Sequence, residues 1–160
     1  MQLRPITHAD VPQACALLNQ IIDIGGTTAF EVPFDQAGFA AAYVDGADLI
    51  CCNVALDQNG AVAGFQWLGR NPRLPADCAD IASFARRSNP VKGIGRAMFP
   101  VTCDAARAAG FAQINATIRA DNTPGLGYYS AMGFVDHHVA RAVPLNDGTP
   151  VDRISKRFVL

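Results

Sequence analysis

The chain has 160 residues and a formal net charge of −1, with only 17% of residues charged, a balance that argues against a general binder of phosphate backbones. Half of the residues are apolar, too many for a disordered tail. The length suits one domain, 1–160, which can bury roughly 68–70% of the surface of its unfolded chain.

Leu3 to Ile6 reads as a first strand. Thr7-His8-Ala9-Asp10 follows, a hydroxyl with an acid three residues on, which is the pattern of a capping box. The helix it announces runs to about Ile22, with Val11, Ala14, Cys15, Leu17, Leu18, Ile21 and Ile22 on one apolar face. Gly25-Gly26-Thr27-Thr28 is a flexible link, and Asp35 caps a second short helix through Tyr43.

Leu49 to Leu56 and Ala61 to Leu68 form two strands of a hairpin around Asp57-Gln58-Asn59-Gly60, because Asn-Gly supplies the positive φ angles of tight turns. Then come a strand Cys78 to Ala85, a helix Ile94 to Ala109, a strand Gln113 to Ile118, a helix Thr123 to Met132 and strands Phe134 to Ala140 and Ile154 to Val159. In the long helix Ile94, Ala97, Met98, Val101, Ala105 and Ala108 keep helical period across Pro100, which should bend it. Hairpins at the front and alternating strands and helices behind predict an α/β chain whose mixed sheet is covered by helices on both faces.

The five cysteines are odd in number, show no C-x-x-C pair and lie in apolar stretches, so they read as reduced thiols of a cytoplasmic protein. Cys51 and Cys52, adjacent on a strand, face opposite ways and cannot jointly ligate a metal, so no metal is indicated. Met1 to Asp10 lacks the basic start and apolar core of a secretion signal, so no leader removal is expected. No apolar run approaches the length that spans a bilayer, so no membrane partner is expected, and no nucleic acid either.

The sharpest motif is Lys92-Gly93-Ile94-Gly95-Arg96-Ala97, two glycines at a loop-to-helix junction. Glycines let backbone amides approach a phosphate, and the first helical turn presents unpaired N–H groups and a partial positive charge. Lys92 and Arg96 add cations. Neither the P-loop nor the dinucleotide pattern is present.

In this turn, in Asn122 to Phe134 with its ending Tyr-Ser-Ala-Met-Gly-Phe, and in the strand Ile81 to Ala85, the chain resembles the Gcn5-related N-acetyltransferase (GNAT) family along nearly its whole length. Pro90 stands where that family's Q/R-x-x-G-x-G/A turn has Gln or Arg, and Gly125 stands where it often has Ala. The stretch Thr27 to Glu31 resembles the subgroup acting on phosphinothricin and similar small amino acids. The resemblance implies a mostly antiparallel central sheet of about 6–7 strands with helices on both faces. It implies acetyl-CoA as acetyl donor, held by Phe84, Ala85, Arg86, Val91, Lys92, Gly93, Ile94, Gly95, Arg96, Ala97, Asn122 and Tyr129. The acetyl group then passes by direct attack to a small-molecule amine, with Tyr129 beside the sulfur as proton donor and Asp80 where relatives carry an acid that can serve as base.

An alkylammonium with a pKa near 10 is only about one part in a thousand free base at neutral pH, so a base or water relay is needed. Phe30 and Glu31 are substrate-side candidates, as is Asp23; Tyr128 reads as a core aromatic, and His137 and His138 on one strand cannot both face a site. Competing readings are a non-catalytic acyl-CoA-binding module, a transferase acting on protein N-termini or lysines, and a purely structural domain. The polar turn Pro144 to Pro150 leads to a last strand expected at a sheet edge, and edges are often closed by a second copy, so a homodimer is expected.

Overall fold

The computed structural model describes residues 1–160. Its elements are β1 (Gln2–Pro5), a single 3-10 turn (His8–Asp10), α1 (Val11–Ile24), α2 (Gln36–Tyr43), β2 (Leu49–Leu56), β3 (Val62–Gly69), β4 (Cys78–Ala85), α3 (Ile94–Ala108), β5 (Gln113–Arg119), α4 (Thr123–Ala131), β6 (Val135–Pro144) and β7 (Pro150–Val159). No helix is long and apolar enough to cross a membrane.

The seven strands form one sheet in the order β1-β2-β3-β4-β5-β7-β6, with every neighbouring pair antiparallel except β4 and β5. All seven apolar positions expected of α1 are buried. They pack with α2 on one face of the sheet, over Cys52, Val54, Phe65 and Phe84, where Phe39, Tyr43, Phe65 and Phe84 stack with centroids 4.7–6.2 Å apart. α3 and α4 cover the other face, over Leu68, Ile81, Ile114 and Ile118. Cys51 packs on this second side while Cys52 lies in the first cluster, as alternation along a strand requires.

Three details differ from the pattern of the sequence. The buried stripe of α3 is Ile94, Met98, Phe99, Thr102, Cys103 and Ala106, leaving Val101 and Ala108 outside. Thr102 replaces an apolar residue in that stripe because its hydroxyl donates to the buried Gln66 Oε1 at 2.6 Å. As the apolar period indicates, the helix continues through Pro100, which sits on the exposed side, where the carbonyl its ring leaves unpaired can meet water. In the β2–β3 turn only Gly60 has positive φ; the loop closes instead through Asp57 Oδ1, which accepts from the amides of Asn59 and Ala61.

The third difference concerns the edge. β7 is interior, paired with β5 from Gln113↔Val159 to Arg119↔Arg153, and β6 hangs outside it. Two register shifts, at Asp136/His138 and Ala140/Val143, interrupt that outer strand, and Ala142 takes φ 52° while its amide donates to Asp152 Oδ1. Such bulges blunt an exposed edge against indiscriminate pairing.

The capping box forms as read: Asp10 Oδ2 accepts from the Thr7 amide at 2.8 Å, and the Asp10 amide donates to the Thr7 carbonyl. Both carboxylate oxygens also accept from Arg4 at 2.7 Å, and this ion pair, with Thr7, holds the Asp10 carboxyl down to about 2. A carboxyl acidified by folding adds stability above its unfolded pKa and loses it as pH falls through the folded value. Urea unfolding of Asp10→Ala should therefore show a loss of about 2–3 kcal/mol at pH 7. The deficit should shrink as pH drops from about 4 toward 2, because the wild type gives up the same contribution there. A deficit that does not change with pH would sink the ion-pair account.

Candidate active site

The parallel ladder between β4 and β5 spans only Cys78–Asp80 against Gln113–Asn115. Both strands continue beyond it, β4 to Ala85 and β5 to Arg119, but without pairing to one another. A wedge opens between them, and two cavities occupy it.

The first, about 360 Å³, runs along the end of β4 toward the start of α3, lined by Ser83, Phe84, Ala85, Arg86, Arg87, Pro90, Gly95, Met98, Asn122, Pro124, Gly125 and Tyr128. α3 starts at Gly93, whose φ of 80° only glycine adopts cheaply, and the following amides open the helix. Gly95 serves differently. A Cβ there would lie 2.5 Å from the Tyr128 ring, so the second glycine makes room for that tyrosine, whose hydroxyl donates to the Gly95 carbonyl at 3.0 Å.

Of the residues expected to hold the cofactor, Phe84, Ala85, Arg86, Gly95 and Asn122 line this groove. Arg86 is partly committed to Asp57 and the Asn89 carbonyl. Ile94 and Val91 pack into the core under the turn, so their side chains anchor it and only their backbones are free to meet a ligand. Lys92, Gly93 and Arg96 are exposed around the helix start, and Ala97 is half-buried beside them. Asn122 caps α4 by accepting from the Gly125 amide and reaches across to donate to the Thr27 carbonyl at 2.8 Å. Its side chain lies 2.4 Å from where a Cβ of Gly125 would be, which is why glycine occupies that position.

The second cavity, about 410 Å³, lies between the end of α2 and α4, lined by Trp67, Asp80, Ala82, Thr117, Arg119, Tyr129 and the Thr27–Phe30 segment among others. Asp80 receives one amide on each oxygen, from Asn71 at 3.1 Å and Asn115 at 3.0 Å. Arg119 forks onto Asp121 at 2.9 and 2.7 Å and donates to the Thr28 carbonyl. Trp67 Nε1 and Thr27 Oγ1 are buried without a partner in the protein. Phe30 lines the cavity, but Glu31 does not: its carboxylate accepts from the Asn146 amide in the β6–β7 turn, which makes it a pin for the covering segment. Asp23 is exposed near the end of α1 and lines neither cavity.

Thr27, Ser83, Phe84, Asn122, Gly125 and Tyr128 line both cavities, which meet there. Behind the junction is a polar network in an apolar setting. Gln66, wholly buried, donates from Nε2 to Ser83 Oγ at 2.8 Å and to the Tyr128 hydroxyl at 3.1 Å, and Tyr129 donates to Ser83 Oγ at 3.0 Å. Burial pushes both phenols above their ordinary pKa, so both are protonated at neutral pH. Burial also raises every cysteine, Cys51 to about 11, and all five are free thiols.

Sequence reasoning missed Ser83, Gln66, Trp67 and Arg119, and read Tyr128 as core. One signal was available for Ser83 and Gln66: each is a polar residue in an otherwise apolar strand run, pointing away from the Phe next to it.

No family model and no curated protein matches the sequence. Solved structures do match over the whole chain. Ribosomal-protein-alanine N-acetyltransferase from Brucella melitensis superposes with a TM-score of 0.86 at 20% identity, covering 100% of both chains. A GCN5-related N-acetyltransferase from Kribbella flavida gives 0.85 at 21%, covering 99% of this chain and 97% of its own. The GNAT-superfamily phosphinothricin acetyltransferase of Sinorhizobium meliloti, solved with acetyl-CoA, gives 0.86 at 23%, covering 99% of this chain and 88% of its own. With seven mostly antiparallel strands parted at β4 and β5 and helices on both faces, the chain has the fold of the GNAT N-acetyltransferases.

Proposed function

We propose that the protein is an acetyl-CoA-dependent N-acetyltransferase acting on the amine of a small amino acid or analogue. The observation that carries this reading is the pair of cavities meeting at Ser83 and Tyr128: one leads to the glycine turn and helix start of α3, the other holds Asp80 and Arg119. A thioester at the junction, its coenzyme arm along β4 and its phosphates toward Lys92, Arg96 and the first amides of α3, faces the second cavity. There an ammonium loses a proton to Asp80, directly or through water, and the freed nitrogen attacks the carbonyl. The acceptor's carboxylate is matched by Arg119, which lines the second cavity. The likeness to a phosphinothricin acetyltransferase is compatible with this acceptor class, as that to a ribosomal-protein-alanine N-acetyltransferase is with a protein N-terminus, so the geometry has to choose.

A small acceptor is favoured over a protein N-terminus because the Thr27–Phe30 segment covers the second cavity. It is held down by Asn122, by Arg119 and, through Glu31, by the β6–β7 turn. The test is thiol release from acetyl-CoA with free amino acids, their decarboxylated amines and a peptide beginning with alanine. Amino acids should turn over best, and Arg119→Gln should raise their KM tenfold or more with little change in KM for acetyl-CoA. Turnover of the peptide alone would point to protein acetylation, and acetyl-CoA binding with no turnover of any amine would leave a binding module. A homodimer remains part of the proposal, with β6 as the free edge, although its bulges restrict strand pairing there; a single monomer-sized boundary in sedimentation at micromolar concentration would remove that part.

A further inference from the structure

We infer that the hydrogen-bond donor presented to the thioester sulfur is Ser83 Oγ–H, with both tyrosine protons directed elsewhere. This rests on the acetyl-transfer reading for the identity of its ligand; the bond directions come from the protein, and that of the Tyr129–Ser83 hydroxyl pair from the buried phenol having no other side-chain partner to donate to. The Gly95 carbonyl can only accept, so the Tyr128 hydroxyl, 3.0 Å away, must donate to it. The Tyr128 oxygen is then an acceptor, and Gln66 must show it the amino side of its amide; Thr102, donating to Gln66 Oε1, enforces the same orientation from behind. The second Gln66 proton goes to Ser83 Oγ. Tyr129 donates to the same oxygen.

Ser83 Oγ thus accepts twice, and a hydroxyl has two lone pairs. Its own proton makes no hydrogen bond within the protein, and Ser83 lines both cavities where they meet. Tyr129, buried and lining only the acceptor side, is a positioning residue: it fills one lone pair of Ser83 and so helps aim the serine proton. When the tetrahedral intermediate collapses, the carbonyl re-forms, the C–S bond breaks with its electron pair passing to sulfur, and the acceptor nitrogen gives its second proton to water. A thiol is far more acidic than an alcohol and leaves as thiolate, so the serine proton can stay on its oxygen and stabilise the charge by donation.

The experiment uses the product side and needs no acceptor. Wild type, Ser83→Ala, Ser83→Thr and Tyr129→Phe are saturated with coenzyme A, and the bound thiol is titrated by ultraviolet difference absorbance against the desulfo-coenzyme A complex. The ionisation constant should be about tenfold larger in wild type than in Ser83→Ala, Ser83→Thr should restore it, and Tyr129→Phe should have the smaller effect. The inference is overturned if Ser83→Ala titrates like the wild type, or if Tyr129→Phe causes the larger loss, which would return the role to the phenol. Failure of the wild type to bind coenzyme A at millimolar concentration overturns the acetyl-transfer reading together with this one; binding with the wrong order of variants overturns this one alone.

Discussion

Gly95→Asp should weaken acetyl-CoA binding at least a hundredfold in calorimetric titration, about 2.7 kcal/mol, and two effects add up to it. The new Cβ would stand 2.5 Å from Cε2 and 2.8 Å from Cζ of Tyr128, so the ring must move, and with it go the bond to the Gly95 carbonyl and the partner of Gln66. Overpacking of this kind costs roughly 1–3 kcal/mol. A carboxylate in the first turn of α3 also faces the phosphates that the open amides would otherwise attract. Gly93→Ala separates the causes: a Cβ there meets nothing within 4 Å, so only the strain of φ 80° remains, of order 1–2 kcal/mol, and binding should weaken less than in Gly95→Asp. Equal affinity in Gly95→Asp and wild type would mean that the groove beside α3 does not hold the cofactor.

Asp80→Asn should lower kcat/KM by about a hundred- to ten-thousandfold, the usual range for loss of a general base, with the fold retained. The carboxylate sits between two amides that both donate, and an asparagine can accept on only one side, so the substitution also turns one amide pair against itself. That structural part is small, because Asp80 is half-buried and water can reach the site. Thermal unfolding should therefore shift by only a few degrees while activity collapses. Activity within a few-fold of wild type would remove Asp80 from the chemistry and leave proton transfer to water.

The legible and illegible parts of this chain divide by how far each signal reaches. α1 could be read residue by residue because a single apolar period, a capping pair and a terminal Gly-Gly are all local. α3 was found, but its buried face was set by Gln66, thirty-odd residues away, which draws Thr102 inward. The order of the last two strands was equally beyond local reading: both are ten residues long, and only the register of β7 against β5 decides which of them is interior. At the site, the glycine turn was visible as a motif, yet the function of its second glycine depends on Tyr128, from another helix. Ser83, Trp67 and Arg119 carry no motif, and their standing comes from where strands part and which bonds are already satisfied.

The short ladder between β4 and β5 makes the sheet two leaves, β1 to β4 and β5-β7-β6, stitched by three residue pairs and by the side chains packed beneath them. Elsewhere in the sheet, rows of backbone hydrogen bonds tie neighbouring strands along most of their length; here the missing rows leave a wedge that the two cavities occupy. On the proposed reading, a ligand lying in the wedge is a structural strut as well as a reactant, and departure of product leaves the leaves joined by the three pairs and the core beneath them.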